Sequence, residues 1–129
     1  LTLSDESMKR WPDQQSLANL HAQALQQLGR FAQAAKFLEV QLKRWPTQDP
    51  GLYQALANNL AQIGEAIRAR QSMATYYTLT GAFPAAMAQL QQARQISKDF
   101  HQQSQIDVQI RQLTQKIANE REVLQRFGG

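Results

Sequence analysis

Two histidines, His21 and His101, are the only imidazoles in the 129-residue chain, and they stand 80 positions apart. Neither lies in HExxH, where two histidines one helical turn apart and an adjacent glutamate would build a hydrolytic zinc site. The chain has no cysteine, which removes disulfides, thiolate metal sites and a cysteine nucleophile. Its serines do not occur as GxSxG, it carries no GxGxxG or Walker-type loop, and no spacing forces two carboxylates together. No catalytic residue, metal ligand or cofactor-binding motif is therefore expected. The side chains left to do chemistry are amides: the chain has 22 Gln, and amide groups both donate and accept hydrogen bonds.

These glutamines are interleaved with Leu, Ile and 18 Ala at helical spacing, and six Gly and four Pro punctuate the chain. The expected fold class is all-α, with helices near 1–10, 16–28, 31–45, 50–63, 65–80, 84–97 and 101–126. No apolar run approaches the roughly 18–20 residues that would span a bilayer, so no membrane insertion is expected. Net charge is +4 and the sequence pI about 9.8. The basic pairs Lys9-Arg10 and Lys43-Arg44, and Arg68, Arg70, Arg111 and Lys116, are scattered at helix ends and polar faces, where they meet C-terminal dipoles. A nucleic-acid surface wants a denser basic stripe with stackable aromatics, and none is expected here.

The chain repeats itself. Met8-Lys9-Arg10-Trp11-Pro12 is echoed 34 positions later by Leu42-Lys43-Arg44-Trp45-Pro46. Leu17, Ala22, Leu25, Gln27 and Gly29 return 35 positions on as Leu52, Ala57, Leu60, Gln62 and Gly64. Each glycine falls where a helix must end and reverse. With Met73, Ala74, Tyr77, Gly81, Phe83, Ala86, Leu90 and Ala93, this pattern resembles the tetratricopeptide repeat. The resemblance implies a single domain over 1–129, an α-α superhelix of helical hairpins with a long C-terminal capping helix at 101–126. Gly64 and Gly81 are only 17 apart, half a repeat, so the helix between them can close one repeat or open the next.

The stripe Ile106, Ile110, Leu113, Ile117, Leu124 and Phe127, interrupted by Glu120, serves either as a cap over the last repeat or as a coiled-coil seam. The first ten residues resemble the second helix of a repeat whose first helix is missing. With Leu1 in place of Met, this reads as a fragment of a longer protein whose N-terminal end exposes apolar surface and self-associates. His21 reads as a partly buried packing residue, and Trp11 and Trp45 as wedges between successive helices. Of Tyr76 and Tyr77, about 100° apart on a helix, one is expected to be buried and the other to reach a groove.

If the chain matches tetratricopeptide domains, the groove positions fall on Asn19, Gln23 and Gln26 in one helix and on Gln54, Asn58 and Gln62 in another. Such amides either pair with the backbone of an extended peptide or merely solvate a concave face. Of the family's carboxylate clamp only Asn58 matches, so the resemblance does not extend to recognition of a free acidic C-terminus. The stretch DPGLYQALANNLAQIGEAIRARQSMATYYTLTGAFPAAMAQLQQARQI, followed by KDFHQQSQIDVQIRQL, resembles the C-terminal repeats of bacterial periplasmic zinc metalloproteases of the beta-barrel-assembly-enhancing type. That resemblance implies a periplasmic module that binds a protein or extended peptide and recruits substrates or assembly partners to a protease domain elsewhere in the gene. A free-standing scaffold of an envelope-assembly or secretion complex has the same fold. The sequence itself leaves a cytoplasmic address open.

Overall fold

The computed structural model describes residues 14–44 and 49–127. Six helices follow one another: α1 (Gln14–Gln27), α2 (Phe31–Arg44), α3 (Pro50–Gln62), α4 (Ala66–Leu79), α5 (Phe83–Ile96) and α6 (Phe100–Phe127), with no strand among the described residues. The fold is an all-α superhelix of antiparallel hairpins with a long C-terminal helix. The expected helix at 1–10, Trp11, Trp45, Lys9-Arg10 and the apolar N-terminal end lie outside the described residues.

Three of the reversals are copies of one another. At Gly29, Gly64 and Gly81 the backbone turns left-handed, with φ of 76°, 81° and 82°. In each, the glycine N–H donates to the carbonyl three residues back, and the following N–H donates five residues back: Arg30 to Leu25 and Glu65 to Leu60 at 2.9 Å, Ala82 to Tyr77 at 2.8 Å. This paired closure satisfies carbonyls that a helix end would otherwise orphan. Alanines sit at matching distances around it. Seven residues before each glycine are Ala22, Ala57 and Ala74, and five after are Ala34, Ala69 and Ala86, all buried. Without side-chain bulk at these points the two helices of a hairpin can approach closely while Leu38, Leu60 and Leu90 fill the space around them.

The helix whose phase could be read two ways plays both parts. Ala69 of α4 belongs to a first core with Ala18 and Ala22 of α1, Leu38 of α2, and Leu52, Leu56 and Leu60 of α3. Ala74 of the same helix belongs to a second core with Ala86, Leu90 and Ala93 of α5 and Ile106 and Leu113 of α6. Five residues apart on a helix is about 140°, so α4 turns one small-residue face to each core and keeps a third face for something else.

At the α5–α6 corner, buried Ser97 accepts from Asp99 N–H at 3.4 Å, and its carbonyl receives the Gln103 amide at 2.6 Å. Asp99 then caps α6 by accepting from His101 N–H at 3.2 Å. The apolar stripe of α6 is used only in part: Ile106, Ile110, Leu113 and Ile117 pack on the second core. Leu124 and Phe127, expected to continue it, are 64% and 79% exposed, because α5 is half as long as α6 and offers nothing beyond its own first turn to pack on.

Candidate functional site

The third face of α4 is polar. Arg68, Gln71, Ser72, Thr75 and Thr78 recur at steps of three, one, three and three, which keeps them on one side of the helix. They floor a groove walled on one side by Tyr53, Leu56 and Leu60 of α3 with Glu39 of α2, and on the other by Gln109, Gln112 and Lys116 of α6. The groove consists of two adjoining depressions of about 210 Å³ each that share Thr75 and Gln109. Each is smaller than the ~300–1,000 Å³ typical of small-molecule pockets, so the shape suits a chain laid along the face better than an enclosed ligand.

Hydrogen bonds within the groove set what it presents. Gln71 Nε2 donates to Gln109 Oε1 at 2.8 Å, tying α4 to α6 across the floor. Thr75 donates to the Gln71 carbonyl at 3.3 Å and Thr78 to the Ala74 carbonyl at 2.8 Å, so both hydroxyls spend their proton on their own helix and offer lone pairs outward. Gln112 and Ser72 add further donors and acceptors. At one end the Arg68 guanidinium pairs with the Glu39 carboxylate, bridging α4 to α2. Both side chains are more than a third exposed, so the pair is worth at most ~1 kcal/mol and chiefly neutralises that end. Beside it Tyr53 is half-buried, and burial pushes its phenol pKa up. Lys116 leaves the other end cationic.

The sequence-based groove residues lie elsewhere. Asn19 and Gln26 on α1 are half-buried, Gln23 on α1 and Gln54, Asn58 and Gln62 on α3 are exposed, and none lines the α4 groove. The helices α1 and α3 do pack together, and Gln26 Oε1 accepts from Asn59 Nδ2 at 3.4 Å. Asn59, next to Asn58 in sequence, is fully buried; its Nδ2 also donates to the Ala55 carbonyl at 2.8 Å, and its Oδ1 has no partner. Tyr77 packs on the second core and meets Tyr76 edge-on at 5.3 Å, and neither ring enters the groove.

The α4 groove had a signal in the sequence, the regular polar stripe from Arg68 to Thr78, but its second wall comes from Gln109, some forty residues further on.

Other polar residues hold the frame. Arg70 donates to Gln89 at 3.2 Å and also bonds Gln92, joining α4 to α5. Arg94 forms a two-pronged pair with Asp107, at 2.6 and 3.3 Å, between α5 and α6, and the hydrogen bond and charge of Asp107 raise the guanidinium pKa. His21 lies exposed with its ring tilted against Phe37 at 4.4 Å, and His101 sits at the start of α6 near Gln105. Among the described residues no three His, Asp or Glu side chains are grouped to hold a metal ion, and no helix is long and apolar enough to cross a membrane. In comparisons with known proteins, no protein-family model matches the chain and no curated protein is significantly similar to it.

Proposed function

We propose that this chain is a recognition module, without catalysis of its own, that takes an extended segment of another protein along the polar face of α4. The observation that carries this reading is the groove itself: an open, nearly charge-balanced channel floored by hydroxyl acceptors and the Gln71 amide, with the Gln109 and Gln112 amides along one wall and Tyr53, Leu56 and Leu60 along the other. Those groups match the alternating N–H and C=O of a peptide backbone and demand no particular side chain. From Arg68 to Thr78 the floor is ~15 Å long, room for about four or five residues of extended chain at ~3.3 Å each. Following the resemblance to tetratricopeptide domains of periplasmic metalloproteases, the segment would come from a substrate or assembly partner delivered to a protease domain encoded beside this one.

Fluorescence anisotropy with labelled peptides of strand-forming sequence tests the groove. Gln71→Ala combined with Thr75→Ala should weaken binding by about thirtyfold, since each of the two lost hydrogen bonds is worth ~1 kcal/mol, with helicity unchanged. Gln54→Ala combined with Asn58→Ala should leave it as it was. If the second pair weakens capture and the first does not, the α1–α3 amide face is the binding face. If no extended peptide binds, the recognition reading falls. The protease link is tested separately: reading frames around this segment that lack HExxH leave a free-standing scaffold as the surviving form.

A further inference from the structure

The two depressions of the α4 groove differ in how far their polar groups are already partnered. In the first, Arg68 pairs with Glu39, and Gln71 bonds Gln109. In the second, buried Ala74, Leu90 and Leu113 form an apolar bottom, and exposed Gln112 and Lys116 stand above it on α6. Four positions apart, these two are neighbours on one face of the helix. Neither has a hydrogen bond or ion pair with another described residue. Since Arg68 and Glu39 offset each other, Lys116 carries the unmatched charge among the residues that line the groove.

An ammonium offers donors only, and the Gln112 amide can set another donor beside it. A group that satisfies both must accept hydrogen bonds, and a carboxylate does so while neutralising the lysine. The apolar bottom adds a second requirement, a short hydrocarbon stem between that carboxylate and the bound backbone. Glutamate has both, aspartate has a stem one methylene shorter, and the carboxylate at a chain end has none. We propose that the second depression is a subsite for a glutamate side chain of the bound segment, its methylenes on Ala74, Leu90 and Leu113 and its carboxylate accepting from Lys116 and Gln112. This inference rests on the reading of the groove as a peptide channel, and it fixes a register. From Gln109 to Lys116 is seven residues of α6, ~10.5 Å, so the glutamate lies about three extended residues beyond the one that crosses the Gln71–Gln109 bond.

Fluorescence anisotropy of the full chain with neutral strand-forming peptides, acetylated and amidated at their ends, tests the subsite when glutamate, glutamine or lysine is placed at each position in turn. At low salt, glutamate at one position should bind about threefold tighter than glutamine and about tenfold tighter than lysine, and both ratios should shrink at high salt. Lys116→Glu should reverse that order with helicity unchanged. Arg111→Glu, an equal change of net charge at a residue lining neither depression, should preserve it. A preference that is equal at every position, or that survives Lys116→Glu, overturns the subsite. So does a glutamine peptide with a free C-terminal carboxylate that binds as tightly as the best amidated glutamate peptide, because Lys116 then holds a chain end. If peptides bind but the three residues are equivalent, the subsite falls and the groove reading stands. If no peptide binds, the groove reading falls and the subsite with it.

Discussion

The two cores of this molecule are built from the same hairpin turn but spaced differently. In the first, the turns at Gly29 and Gly64 are 35 residues apart, so α1–α2 and α3–α4 are separate hairpins that share no helix. In the second, Gly64 and Gly81 are 17 apart, so α4 is at once the second helix of one hairpin and the first helix of the next. A shared helix must serve two cores, which costs it a conventional apolar stripe. It packs through Ala69 and Ala74 on two faces and is left with a polar third face, and that face is the groove. Halving the repeat thus creates the candidate site, and α4 becomes the element through which the two cores feel each other.

The largest effects should come from testing that coupling. Leu38 in the first core and Ile106 in the second are both fully buried. Replacing either with alanine should cost ~2–5 kcal/mol, the transfer loss plus the cavity left behind. Because both cores own part of α4, each substitution should shift one common urea transition, followed by helicity and by Tyr77 environment together. Two separated transitions, with only the mutated half melting early, would break the comparison by showing α4 to be a passive linker.

A smaller effect probes the turns themselves. An ideal Cβ built at Gly29, Gly64 or Gly81 meets no atom within 4 Å, so Gly→Ala at any of them is penalised only by the left-handed backbone, ~1–2 kcal/mol. The three costs should agree within a few tenths of a kcal/mol by chemical denaturation. A markedly larger loss at Gly64 or Gly81 than at Gly29 would mean that the flanks of α4 carry strain that the isolated first hairpin does not.

The helices were legible because glycine and proline mark their ends: 31–45 was expected and Phe31–Arg44 found, 50–63 expected and Pro50–Gln62 found. The groove was not, for a physical reason. Amides at helical spacing say that a face is polar, and Gln23, Gln54 and Asn58 satisfy that as well as Gln71 does. They do not say which polar face acquires walls, since Gln71 meets Gln109 only after α6 folds back over α4. The tail of α6 shows the converse. Leu124 and Phe127 keep the apolar period, but periodicity carries no information on whether a neighbouring helix extends far enough to cover them.

Asn59 sharpens the comparison at its finest scale. Counting back five residues from each turn glycine gives Ala24, Asn59 and Tyr76, so the amide is peculiar to the middle turn, where α3 meets α1. It is fully buried with Oδ1 unpartnered, and its Nδ2 reaches Gln26 only at 3.4 Å and otherwise bonds a carbonyl of its own helix. An unmade buried acceptor costs ~1–3 kcal/mol, while the bonds Nδ2 does make return ~0.5–1.5 each. Asn59→Leu, close in volume, discards both sides of that balance, and Gln26, half-exposed, can turn to water. The substitution should therefore change stability by less than ~1 kcal/mol in either direction. A loss above ~2 kcal/mol would show instead that the Asn59–Gln26 contact pins α3 to α1 and gives the first core a polar register lock that the second core lacks.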